Sequence, residues 1–243
     1  MARGVFITGT DTDIGKTIVA AGLLRVLRGR GVGACTMKPV QTGARVKKDE
    51  LIAIDLEFHH RAAGIDVGKE ELHWMAPFLY EPACSPHLAG RMAKSYADFG
   101  VIRDCFKKLT KRYERVLVEG AGGVYAPIDE KKTMLDLMKA LKLPVVLVAR
   151  RGLGTINHSL LSIEAIRGAG LELLGVIFNE TEDVKRDFIR EDNPAAVKQF
   201  GDVRILGDVD YLPGIDNHDA SAWARFEKCV PGIDAIAAGV ALR

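Results

Sequence analysis

Apolar residues along this chain follow two rhythms that take turns. Mostly apolar runs of strand length, rich in β-branched residues, occupy residues 5–7, 34–37, 115–118, 145–148, 173–178 and 203–207, the one at 145–148 continuously apolar. Runs of that kind are how strands covered on both faces read. Between them, apolar positions recur every three and four residues, as along one face of a helix. Such spacing runs from Ile18 through Leu27, over 49–63 (Leu51, Ile54, Phe58, Ala62), through Phe99, Ile102, Phe106, Leu109 and Tyr113, and over 134–141. Further helices are expected from Thr155, as N-cap, to about Ala169; over 188–200 with a break near Asn193-Pro194; and over 233–242. Ser85-Pro86 opens one more, with the serine as N-cap and the proline in the first turn. Residues 64–86 carry Trp74, Pro77, Pro82 and Pro86 without periodicity, as a substrate loop or a plain connection would. Strands alternating with helices predict an α/β fold, a mostly parallel sheet with right-handed crossovers placing helices on both faces. With no internal repeat, 243 residues suit one such domain spanning 1–243.

The first strand and the first helix are joined by Gly9-Thr10-Asp11-Thr12-Asp13-Ile14-Gly15-Lys16-Thr17. Strand, glycine loop and Gly-Lys-Thr opening a helix form the context in which a phosphate-binding loop works. Backbone N–H groups and the helix N-terminus receive phosphate oxygens, the lysine reaches the outer phosphates, and the threonine hydroxyl suits Mg²⁺. Five residues separate Gly9 from Gly15, one more than the usual spacing.

Other candidates lie where strands end. Lys38, in Lys38-Pro39-Val40-Gln41-Thr42-Gly43, follows the second run; it is either a solvated loop lysine or, beside a phosphate loop, a ligand-facing charge. Residues 115–118 lead into Glu119 and a glycine turn, Gly120-Ala121-Gly122-Gly123, where a second magnesium-holding acid belongs. Asp55 reads equally as an exposed helical carboxylate, and His87 as a substrate contact or a capping residue. Arg150 to His158 contain two glycines before a helix start, a second potential anion site. Asn179 ends the fifth run and can present an amide to a purine edge or form a turn.

Composition narrows the partners. With 34 basic against 32 acidic side chains, the net charge of +2 gives no reason to expect a nucleic-acid partner. No apolar run is of membrane-spanning length, and a strand so near the N-terminus leaves no room for a signal peptide. Cys35, Cys84, Cys105 and Cys229 are scattered, without a Cys-x-x-Cys pair, which suits reduced thiols in a cytoplasm.

The loop with its extra residue, Lys38–Gly43, Ser85-Pro86-His87, Val118–Gly123 and Gly152–His158, in that order over about residues 4–180, resemble the dethiobiotin synthetases, ATP-dependent enzymes of biotin synthesis. The resemblance implies a P-loop NTPase-like fold and a homodimer, with Mg-ATP, CO₂ or bicarbonate, and 7,8-diaminononanoate as reactants. An amine would capture CO₂ as a carbamate, the γ-phosphate would pass to it, and the second amine would close the ureido ring, leaving ADP and phosphate. It further implies Lys38 and Lys16 as the catalytic charges, and Thr17, Asp55 and Glu119 as magnesium ligands. Nucleotide would be met by Asp13, Ile14, Gly15, Lys16, Thr17, Ile18, Asp55, Glu119, Gly120, Ala121, Gly122 and, at adenine, Asn179. Thr12, Thr42, Gly154 and Asn157 would hold the diamino acid, the last two across the dimer interface. Two departures stand out: Thr42 replaces a frequent serine, and Val209-Asp210-Tyr211 replaces an isoleucine-proline-like turn near adenine. A partition- or Min-type switch ATPase is the alternative. Such proteins usually carry an extra lysine early in the loop, where this chain has Thr10 and Asp11.

Overall fold

A computed structural model of the chain describes residues 3–48 and 50–238. In order the elements are β1 (Gly4–Gly9), α1 (Lys16–Gly29), β2 (Ala34–Met37), β3 (Val40–Gln41), β4 (Arg45–Lys47), β5 (Glu50–Ile52), α2 (Ile54–Ala63), α3 (Lys69–Met75), β6 (Phe78–Leu79) and α4 (Pro86–Met92). They continue with α5 (Phe99–Arg112), β7 (Arg115–Gly123), α6 (Met134–Leu141), β8 (Val145–Ala149), α7 (Thr155–Gly168), β9 (Leu173–Asn179), α8 (Phe188–Phe200), β10 (Ile205–Val209), α9 (Ala220–Cys229) and α10 (Ile233–Ala238).

Six strands make one parallel sheet in the order β10-β9-β8-β1-β7-β2, as the alternating pattern predicts. Because strand side chains alternate between faces, each buried run divides between two cores. Val5, Ile7, Ala34, Leu117, Val146 and Val148 pack with α1, α9 and α10. Phe6, Cys35, Met37, Val116, Val118, Val145 and Leu147 pack with residues of α5, α6 and α7. The same alternation turns Thr36, Lys38 and Glu119 toward the face that carries α1. Hydrogen-bonded register then brings β2 and β7 together at Met37 and Val118, so Lys38 and Glu119 become neighbours.

Several expected boundaries move, each for a local reason. The helix expected over 49–63 begins only at Ile54: Arg45–Lys47 and Glu50–Ile52 pair as mostly exposed antiparallel strands, and Asp49 lies outside the described residues. Residues 64–86 contain a helix, α3, whose brevity and mostly exposed surface hide its period; Trp74 and Met75 alone anchor it. β7 continues through Glu119 to Gly123, because Gly9 of β1 pairs with Gly123 and extends the ladder. Gly154, not Thr155, is the N-cap of α7; it holds a left-handed φ of 91°, and Thr155 Oγ1 instead donates to the Arg150 carbonyl. The last strand sits at 205–209, two residues beyond its expected start, after a turn in which Arg204 O accepts from Val176 N.

α8 runs unbroken through Pro194. The missing N–H leaves one carbonyl without its helical donor, yet the helix is pinned by the Asn193 side chain donating to Arg151 O and by buried Val197. The amphipathic α9 was not anticipated. Of the helix expected over 233–242, residues 233–238 are helical and 239–242 lie outside the described residues.

α1 and α9 approach closely at Gly22, where an added Cβ would lie 2.3 Å from the Phe226 ring. Gly22→Ala is therefore expected to lose about 1–3 kcal/mol through overpacking in urea denaturation, and Phe226→Leu in the same chain to restore part of it. Additive losses would place the strain elsewhere.

Candidate active site

The loop between β1 and α1 wraps the end of the sheet. Asp13 adopts φ 55° and Gly15 φ 84°, and Gly15 is the N-cap of α1. A side chain at Gly15 is excluded twice over: its φ is left-handed, and a Cβ would fall 2.1 Å from the Asn179 amide nitrogen. That amide donates to Ile14 O at 3.2 Å, so the buried Asn179 at the end of β9 braces the loop. The first N–H groups of α1 have no carbonyl partners within the helix, which makes this N-terminus a receptor for anions.

Lys16 is buried, and its ammonium donates to the Asp11 carbonyl at 2.7 Å. Burial, with the nearby charge of Lys38, pushes its pKa down to about 8 against the opposing pull of Glu119, Asp13 and Asp11.

Beside it lies a compact charge cluster. Lys38 Nζ is 2.6 Å from an Asp55 oxygen and 2.7 Å from Glu119 Oε1, with the Lys38 and Glu119 side chains 6% and 1% exposed. Thr17 Oγ1 donates to the same Glu119 Oε1 at 2.9 Å. Burial alone would discharge Lys38, but the two carboxylates outweigh it and hold the ammonium above its usual range. Burial likewise opposes charge on Glu119; Lys38 and then His59 reverse it, and the carboxyl stays well below the carboxylate range.

His59 completes the cluster on the far side. Its Nε2 is 2.9 Å from Glu119 Oε2 and its Nδ1 3.1 Å from Thr36 Oγ1. Sequence reading passed over it, although Asp55 and His59, four apart on α2, share one helix face.

A cavity of about 780 Å³ opens over this cluster. Thr12, Asp13, Gly15, Lys16, Thr17, Ile18, Lys38, Thr42, Asp55, Glu119, Ala121 and Gly122 line it, all of them residues singled out from sequence. Ser85 and Pro86 line it as well; the Ser85 hydroxyl meets His87 Nδ1 at 2.9 Å. Of the open alternatives, Lys38 is not a solvated loop residue and Asp55 is not a free helical carboxylate. Ile14 and Gly120 lie beneath the lining, and Asn179 faces a smaller adjoining recess with Ile18, Thr181, Asp210 and Tyr211. Gly154 and Asn157 are not brought to the cavity; both are exposed at the start of α7.

Carboxylate oxygens of Asp55 and Glu119 on one buried ammonium, with the Thr17 hydroxyl on the same Glu119 oxygen, form a hard oxygen donor set of the kind Mg²⁺ takes. The residues present fit that ion.

A parallel sheet whose first strand feeds a glycine loop and a Lys-Thr helix start defines a P-loop nucleotide-binding protein. A family model described as AAA domain matches residues 3–219. Solved structures give the same architecture: MinD of Pyrococcus horikoshii with Mg-ADP aligns over 97% of this chain and 93% of its own, at TM-score 0.61 and 18% identity. The MinC:MinD complex of Aquifex aeolicus aligns over 100% and 98%, at TM-score 0.62 and 12% identity; at such identities the likeness is one of fold. Sequence relatives are more particular. The ATP-dependent dethiobiotin synthetase of Clostridium novyi is 34% identical over 95% of this chain and 99% of its own. That of Halalkalibacterium halodurans is 37% identical over 88% and 86%. The chain belongs to the dethiobiotin synthetase family.

Removing one member of a buried ion cluster leaves the others uncompensated. Lys38→Met is expected to cost about 3 kcal/mol in urea denaturation, and Lys38→Met/Glu119→Gln to cost less than the sum of the two single changes. Additivity would mean that the two charges are not coupled in the folded state.

Proposed function

We propose that this chain is an ATP-dependent cyclo-ligase that closes the ureido ring of dethiobiotin from 7,8-diaminononanoate, CO₂ and ATP. Family membership supports the reaction class, and the placement of Lys16 and Lys38 in one cavity is the observation that carries the reading. A carbamate and a triphosphate are both anions, so their approach requires fixed positive charge in a site that admits little water.

Within this geometry the loop N–H groups and the α1 N-terminus take the phosphates, and Lys16 exchanges its carbonyl partner on Asp11 for phosphate oxygens. Lys38, held between Asp55 and Glu119, faces the carbamate and the phosphoryl group in transit. The carbamate oxygen attacks the γ-phosphorus as the bond to ADP breaks. The second amine then attacks the carbamoyl carbon, phosphate leaves with the bonding pair, and the ring closes as the amine gives up its proton. No covalent nucleophile is needed, since positioning and electrostatics carry phosphoryl transfer. Thr17, Asp55 and Glu119 would hold Mg²⁺, which neutralises charge on the outer phosphates when bound. Asp13, Ile14, Gly15, Ile18, Gly120, Ala121 and Gly122 would frame the nucleotide, Asn179 would meet adenine, and Thr12 and Thr42 would position the diamino acid.

Gly154 and Asn157 would act only across a homodimer, receiving the substrate carboxylate of the neighbouring copy; their exposure on α7 supports that arrangement. We assign the chain to the cytoplasm and to one nucleotide-binding domain. Among the described residues no helix is long and apolar enough to cross a bilayer, and the four cysteines are free.

Phosphate release from Mg-ATP tests the reading, with diamino acid and bicarbonate omitted in turn. Release is expected only with all reactants present, and Lys38→Ala is expected to lower it about 10²–10³-fold at a temperature where its circular dichroism is native. Hydrolysis indifferent to the diamino acid and stimulated by DNA or lipid would assign the chain to the switch ATPases instead.

A further inference from the structure

Glu119 has two oxygens, and the structure gives them different surroundings. Oε1 faces the cavity cluster: the Thr17 hydroxyl donates to it at 2.9 Å, and Lys38 Nζ lies 2.7 Å away. Oε2 faces inward, 2.9 Å from His59 Nε2. His59 is fully buried, and so is Thr36, whose hydroxyl meets the other ring nitrogen at 3.1 Å. The Nε2–Oε2 contact is close but not aligned as a hydrogen bond, and neither atom has another hydrogen-bond partner; a carboxylate can only accept, so Nε2 is the ring nitrogen able to turn a proton toward it while Nδ1 meets the Thr36 hydroxyl. Thr36, His59 and Glu119 form a chain of three side chains running from strand β2 through helix α2 to strand β7.

From this we propose that His59 is a positioning residue. By holding Oε2 on the inner side, it makes Glu119 present Oε1 alone to the cavity, and thereby sets the affinity of the metal site. The inference rests on the assignment of Glu119 as a metal ligand in the proposed function, and deepens it.

Three further features support a positioning role over a packing one. Glu119 Oε2 and His59 Nε2 are both buried without another hydrogen-bond partner, so the 2.9 Å contact is what faces Oε2, and an apolar residue of similar size would take that polar neighbour away. His59 shares its helix face with Asp55, one turn away, so the same backbone segment sets both carboxylates. Thr36 fixes the ring from behind, as an outer partner fixes the tautomer and orientation of a histidine. If Glu119 swung free, it could offer both oxygens at once, and Lys38 and Thr17 would lose a common acceptor.

The test is binding of Mn²⁺ to the ADP-loaded full chain, followed by loss of the free-ion electron paramagnetic resonance signal, alongside ADP affinity in a chelator. His59→Leu, which removes the donor, is expected to weaken Mn²⁺ binding about tenfold or more, the range for lost outer partners of metal ligands, with metal-free ADP affinity unchanged. His59→Gln, which keeps an N–H toward Glu119, is expected to restore most of that loss. Glu119→Gln is the control for the assignment beneath. Mn²⁺ binding unaffected by Glu119→Gln would remove Glu119 from the metal site altogether. Loss in Glu119→Gln with His59→Leu within twofold of the parent would overturn this inference alone, as would equal losses in the leucine and glutamine variants. Should His59→Leu not fold, Thr36→Val takes its place: it leaves the ring but removes its partner, and Mn²⁺ affinity within twofold of the parent would again overturn the proposal.

Discussion

Lys38 Nζ is held within 2.7 Å of two carboxylates, with the Lys38 and Glu119 side chains almost wholly buried, and most of the site follows from what that contact demands. A charge that deep is tolerated only when paired, and a lone carboxylate there would be as costly as a lone ammonium. The pairing needs β2, α2 and β7 at once: β2 delivers the lysine, α2 brings Asp55 over it, and β7 supplies Glu119. None of these elements could shift by a residue without stranding a charge. The cluster therefore ties sheet register to helix placement, and the cavity above it inherits a fixed floor.

The phosphate loop is organised around the same requirement. Its lysine is occupied by the Asp11 carbonyl, a neutral partner that an incoming phosphate can replace without leaving a buried charge unmatched. Burial lowers the pKa of Lys16, and repulsion from Lys38 across the site adds to it. An anion entering between them relieves both effects. Two ammonium groups are thus fixed in place before nucleotide arrives, that of Lys38 balanced by its carboxylates, and such preorganised charge is what electrostatic catalysis of phosphoryl transfer requires.

Around the recess beside Asn179, charge is managed differently. Asp210 lines this recess, but its carboxylate is not left unpaired. Arg151 Nη1 and Arg186 Nε each lie 2.7 Å from it, and both arginines also pair with Asp208. The fully buried Arg151 leads out of β8, so this network joins the ends of β8 and β10 across β9 beside that recess.

Much of this was legible in residue order. Runs such as 145–148 could only be strands covered on both faces, and the glycines with Lys16 and Thr17 carry their chemistry locally, because backbone amides and a helix start lie within one stretch of chain. Lys38 and Glu119 were visible as charges interrupting apolar runs. What could not be read was which charges meet. Asp55 looks like any helical carboxylate until α2 is laid over β2, and His59 looks like a polar residue in a helix until Glu119 comes within 2.9 Å of it. The paired strands β4 and β5 and helix α3 were missed because exposed or short segments carry no periodic signal. Local sequence determines elements and loops, since their hydrogen bonds close within a few residues. The ion cluster is decided by contacts between residues far apart in the chain, and only the folded sheet brings those together.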